Sequence, residues 1–150
     1  MIISLEIPIY HCDVAFFLET TVGELNTFYN KNKKNLDEED YRLLRRDIED
    51  VKKTGGAVYT FGVNYIMYVR NTKEKGHCAH ELYHLTNTIL SQRGVEHTET
   101  DEPYAYLNEW LHDEFREILK QFKEEKNNEK AGRTSGDGSG TNTEREKPEG

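Results

Sequence analysis

Apolar and polar residues alternate from Ile2 to Tyr10: Ile3, Leu5, Ile7 and Ile9 point one way, and Ser4, Glu6, Pro8 and Tyr10 the other. A period of two predicts a half-buried strand. Pro8 lacks a backbone donor, so it marks an edge strand or ends the strand early. The short apolar run DVAFFLE at 13–19 predicts a second strand. Thr21 and Glu24 form a capping box, which predicts a short helix to about Asn30. After a polar loop, Leu36, Tyr41, Leu44, Ile48 and Val51 recur at helical spacing, with acids early and lysines late as the helix dipole favours. Gly55-Gly56 ends that helix.

Two β-rich runs follow, AVYTF at 57–61 and NYIMYVR at 64–70, joined by Gly62-Val63. Glycine first in a two-residue loop suits a type II′ turn, so 57–70 is predicted to be an antiparallel hairpin. Tyr65, Met67 and Val69 share one face, and Ile66, Tyr68 and Arg70 the other. Thr72 is the expected cap of a helix over 72–93, with Gly94 as its stop. VEHTETDEP is a loop. Asp101 caps a last helix over 102–122, with Pro103 in its first turn, where proline is tolerated. The order ββααββαα predicts an α+β domain with an antiparallel or mixed sheet backed by helices.

Composition narrows this to one folded unit. Only 35% of the 150 residues are hydrophobic, and from Lys123 onward the single hydrophobic residue is Ala131. Such a segment buries too little apolar surface to offset its ordering entropy. The expected division is therefore a domain over 1–122 and a disordered polar tail over 123–150. A net charge of −8 argues against a nucleic-acid-binding surface. No apolar stretch is long enough to cross a membrane. The N-terminus lacks a basic region and carries Glu6, so no signal peptide is expected. Without export, Cys12 and Cys78 are expected as free buried thiols in a reducing cytoplasm.

Candidate chemistry concentrates in HCAHELYHLTNTIL, positions 77–90, which holds three of the six histidines. At helical spacing, Cys78, Ala79, Leu82, Tyr83, Leu85, Ile89 and Leu90 form the apolar face. His77, His80, Glu81, His84, Asn87, Thr88 and Ser91 fill the remaining arc. His80 and His84 are one turn apart and can converge on one metal ion. Glu81, on the flank, can reach a water at that ion without being a ligand. This is the HExxH arrangement. The bland reading is a solvated polar helix face, and the intact apolar complement argues against it. Catalytic zinc needs a third protein ligand and an open position for water. The candidates are Glu102, Asp101, Glu99, His97, Glu96 and His77. His77 lies a turn early, and residues 96–99 are in a loop that would hold a ligand less rigidly. Glu102 opens the last helix; as a first-turn acid it also suits the helix dipole, but the need for a ligand favours it here.

The motif resembles the gluzincin metallopeptidases, with HExxH on one helix and a glutamate from a second helix. Here His84 to Glu102 is 18 positions, and EPYAY, Glu102 to Tyr106, resembles the family's E-x-x-A-x pattern, in which a small alanine lets the helices approach. The hairpin ahead of the motif helix also matches. The likeness is greatest to the short HExxH domains of bacteriophage genomes and the repressor-cleaving ImmA/IrrE group, and it covers about residues 56–112. It implies a small zincin-like domain, a Zn²⁺ ion on His80, His84 and Glu102, and Glu81 as general base. Many gluzincins carry an aspartate four residues after the ligand glutamate to hold a histidine; here that position is Tyr106, whose hydroxyl is the candidate replacement or an oxyanion donor.

The expected reaction is hydrolysis of a peptide bond in a protein or peptide substrate laid along an edge of the hairpin. Tyr83, His97, Tyr104 and His112 are further candidate oxyanion donors. Two rivals stand beside it: a non-catalytic zinc-binding or protein-interaction module of the same fold, in which His77 or His97 would close the site, and a metal-dependent hydrolase of another substrate.

Overall fold

The computed structural model describes residues 1–32, 34, 37–49, 55–61, 63–95 and 101–134, with backbone only at 47, 48, 130 and 132–134. Strand β1 spans Ile2–Ile7 and β2 spans Cys12–Leu18; helices α1 (Val22–Asn32) and α2 (Glu38–Glu49) follow. Strands β3 (Gly56–Phe61) and β4 (Asn64–Val69) precede helices α3 (Lys75–Gln92) and α4 (Glu102–Thr134). The class is α+β, as expected, and the four-stranded sheet has the order β1-β2-β4-β3. It is mixed: β1 pairs antiparallel with β2, β2 parallel with β4, and β3 antiparallel with β4. The parallel pair follows from the long excursion through α1 and α2, because parallel neighbours need a crossover.

Helices cover both faces. On one, Val14, Phe16, Leu18, Tyr65, Met67 and Val69 pack against α3 and α4 through Leu82, Leu85, Ile89, Leu111 and Phe115. On the other, Ala15, Phe17, Ile66 and Tyr68 meet Leu25 and Leu44 of α1 and α2. A central strand sandwiched this way loses the polar alternation of a one-sided sheet. That is why DVAFFLE reads as a continuous apolar run. Phe16 and Phe17 point to opposite layers and are both fully buried, each contributing roughly 1.5–3 kcal/mol by burial.

Several local readings hold. Thr21 and Glu24 make the capping box: Glu24 accepts from the Thr21 amide at 2.8 Å, and Thr21 Oγ1 accepts from the Glu24 amide at 3.3 Å. Phe61 pairs with Asn64, so the hairpin loop has two residues; the type II′ geometry depends on Gly62, outside the described residues. Cys12 and Cys78 are free and buried. No described helix is long and apolar enough to cross a membrane.

Others change. β1 stops at Ile7 because Pro8 opens a 3-10 turn to Tyr10, so Ile9 leaves the alternation and is 78% exposed. α2 is described only to Glu49; the expected contacts of Leu36, Ile48 and Val51 lie outside the described residues or side chains. Thr72 does not cap α3, which starts at Lys75. Its amide and hydroxyl instead donate to the Glu19 carboxylate at 3.1 and 2.7 Å. The last helix continues past Phe122 to Thr134, into the segment expected to be a disordered tail. Part of the reason is Lys126, which bonds Glu19 and lies 4.6 Å from the centre of the Phe122 ring.

Candidate metal centre

α3 buries Cys78, Leu82, Leu85, Ile89 and Leu90, but also Glu81 and Thr86. Tyr83, expected on the apolar face, is 48% exposed, whereas Glu81, expected on the polar arc, is 6% exposed. The helix is thus turned with Glu81 towards the start of β3. Gly55 and Gly56 make that possible. A Cβ on Gly56 would lie 2.5 Å from Glu81 Cγ and 2.6 Å from the Tyr68 carbonyl oxygen; one on Gly55 would lie 2.3 Å from His77 Nδ1. The two glycines read in the sequence as a helix stop therefore form the floor on which the motif's polar edge lies.

His80 and His84 remain exposed above this floor, with their Nε2 atoms 2.9 Å apart and their rings edge to face. An ion at about 2.0–2.1 Å from each nitrogen would see them about 90° apart, so opening by a few tenths of an ångström reaches the tetrahedral angle. The pair therefore fits as two ligands of one small cation. His77 is engaged elsewhere, its Nδ1 2.6 Å from Glu74 Oε2. Burial pushes the Glu81 carboxyl above its ordinary range, outweighing the opposing pull of His80, His84 and His77. A carboxyl held in this way keeps a proton more readily than a solvated one.

The remaining candidates are not gathered at the pair. Thr86 Oγ1 meets Asn108 Oδ1 at 3.2 Å, and the Tyr104 hydroxyl donates to the Val95 carbonyl at 3.1 Å, so α3 and α4 run antiparallel. Glu102 opens α4, six positions before Asn108. That puts it roughly 9 Å along the axis from the Thr86 level, at 1.5 Å per residue, in the direction away from His84. Among the described residues, no group of three His, Cys, Asp or Glu side chains is placed to hold a metal. The 18-residue spacing did not reveal this, because α3 runs on to Gln92 and uses eight of those positions beyond His84. Glu96, His97 and Glu99 lie outside the described residues. Tyr106 is 70% exposed and lines an apolar groove with Ile7, Pro8, Ile9 and Trp110, on the β1 side of α4. It is not brought to the histidines. His112 lies partly buried near Cys78 and Ala79, and Tyr104 is committed to Val95.

Comparison with known protein families, with characterised proteins and with solved structures finds no match to this chain.

Proposed function

We propose that the chain is a zinc-dependent peptidase of gluzincin type, in which His80 and His84 hold the ion and Glu81 moves the proton. The observation that carries this is the convergence of the two Nε2 atoms at 2.9 Å beside a carboxylate held in a dry position against Gly56. Zinc, if held by His80 and His84, would supply Lewis-acid activation of a water nucleophile. Glu81 accepts the proton of the attacking water and returns it to the leaving amine, a role its raised affinity for protons suits. β3 is an edge strand that begins at Gly56, next to Glu81. An extended peptide added along its outer edge would be held by main-chain hydrogen bonds and would pass the carboxylate. Glu102 is the proposed third ligand, which requires the first turn of α4 to approach His84 more closely than the α3–α4 register holds it.

The separation of Glu102 from the pair favours a second reading, a non-catalytic metal-binding or protein-interaction module with the same fold. One experiment separates the two. Glu81→Gln should retain zinc and trap a substrate protein that the wild type cleaves, with turnover reduced about 10²–10⁴-fold, the size of a general-base contribution. Trapped partners that the zinc-loaded wild type leaves intact would sink the peptidase reading. Zinc binding weakened in Glu102→Ala and unchanged in Glu99→Ala and His97→Ala would support the third ligand; full affinity in Glu102→Ala with loss in Glu99→Ala or His97→Ala would reassign it.

A further inference from the structure

We infer that the groove between the first half of α3 and the middle of α4 is a docking surface for an acidic amphipathic helix of a partner protein. The groove has a volume of about 520 Å³. Cys78, Ala79 and Leu82 of α3 and Phe115 and Leu119 of α4 form its apolar floor. Lys75, Arg116, Lys120 and Lys123 surround that floor, with His112 beside them. Of the 11 lining residues five are basic and none is acidic, although the chain has 28 acids against 20 lysines and arginines. The groove therefore carries a field opposite in sign to the net charge of the molecule, which selects an acidic partner. Lys75 and Lys123 are exposed and have no ion partner among the described residues. Arg116 and Lys120 pair only with Asp113 and Glu117 on their own helix. Such exposed pairs are weak and can re-form with a partner's carboxylates.

The spacing decides the shape of the occupant. The groove takes positions 75, 78, 79 and 82 of α3 and positions 112, 115, 116, 119, 120 and 123 of α4. Steps of three and four trace one face of each helix. The two helices are antiparallel neighbours joined by Thr86 and Asn108, so the two stripes run side by side. From 112 to 123 the channel is about 16 Å long at 1.5 Å per residue. A third helix can seat an i, i+4, i+7 ridge of apolar residues in such a channel, with its flanking carboxylates against the cations. An extended peptide gains no ladder here, because helix backbone groups are already bonded within each helix. A phosphate backbone gains nothing from a floor of Leu82, Phe115 and Leu119.

The test is binding of a synthetic helix to the full chain, read by fluorescence anisotropy and mapped on ¹⁵N–¹H spectra. The probe is a labelled peptide of about 15 residues, roughly four turns, with leucines at i, i+4, i+7 and i+11 and glutamates on both flanks. One control carries lysine for every glutamate, and another the same residues in scrambled order. The acidic amphipathic peptide should bind saturably, with shifts concentrated at Lys75, Ala79, Arg116, Leu119 and Lys123, and more weakly as salt rises. Lys75→Glu combined with Lys123→Glu should weaken binding about tenfold with an unchanged circular dichroism spectrum, since both positions are exposed. The comparison of peptides on the wild type needs no variant to fold. Absence of saturable binding, equal affinity for either control, or shifts that map elsewhere overturns the proposal. Tighter binding to phosphatidylserine vesicles or to oligodeoxythymidine overturns the choice of partner. Self-association that the double variant abolishes would make a second copy of the chain the occupant and overturn it as well.

Discussion

A Cβ on Gly56 would press on Glu81 Cγ and on the Tyr68 carbonyl at once, and the second contact is backbone that cannot swing away. Gly56→Ala should therefore cost about 1–3 kcal/mol of stability, the usual range for overpacking, and should push Glu81 out of its buried position. Denaturant melts and the activity of the zinc-loaded variant check this; a variant as stable and active as the wild type would contradict the packing described for Glu81. Glu81 also sets a pH dependence for the metal-free protein. Its folded pKa is raised, chiefly by burial. The folded chain therefore binds this proton more tightly than the unfolded chain. The associated stability is fully present below the unfolded value of 4.5 and is lost as pH rises through the folded value. In the metal-free state at pH 7, Glu81→Gln should melt at a higher temperature than the wild type, and the gap should shrink as pH falls through the folded value and be closed below about 4.5. A gap that widens towards acid would reverse the sign. The HExxH spacing itself was readable from sequence, since it is local. The burial of Glu81 was not, because it depends on two glycines brought in across the sheet from a position some twenty-five residues away.

At the level of elements, the strands, the capping box and the two-residue hairpin follow from local pattern, and the structure carries them. The far end of α4 does not. Composition alone says that 123–134 has little to bury, yet a helix there needs only good helix formers and a few anchors. Lys126 supplies one anchor by bridging Glu19 and the Phe122 ring. Glu19 takes a left-handed backbone conformation, φ 48°, and its carboxylate also holds the Thr72 amide and hydroxyl just ahead of α3. Burial pushes the Glu19 carboxyl up, but Lys126 and the two Thr72 bonds outweigh it and leave it below its ordinary range. Stability from this group is present above about 4.5 and is lost as pH falls through the lower folded value. Truncation after Phe122 removes Lys126 and should cost about 0.2–1 kcal/mol at neutral pH, as for a partly exposed pair. It should also flatten the acid side of the stability curve. Thermal melts of the 1–122 and 1–134 chains between pH 3 and 7 check both; identical curves would show that the α4 extension is not anchored at Glu19.

At the scale of the whole molecule, helices on both faces of the sheet, rather than on one, make β2 and β4 interior strands and leave β1 and β3 as edges. The element order in the sequence was compatible with this, but layer assignment depends on which faces meet and not on periodicity. The same limit applies to Glu102. Its spacing from His84 matches a family pattern, while its position is decided by where α3 ends and by how Thr86 and Asn108 register the two helices. The start of the edge strand β3 nevertheless lies against Glu81, as the approach of Gly56 to Glu81 Cγ shows. The central claim is that His80 and His84 form half of a metal site. Zinc content after dialysis, measured on the wild type, His80→Ala, His84→Ala and Glu81→Gln, tests it most directly. The expected result is one zinc per chain in the wild type and in Glu81→Gln, and none in either histidine variant, with circular dichroism showing all four folded. Zinc retained in the folded His80→Ala and His84→Ala variants, or absent from the wild type, would contradict it.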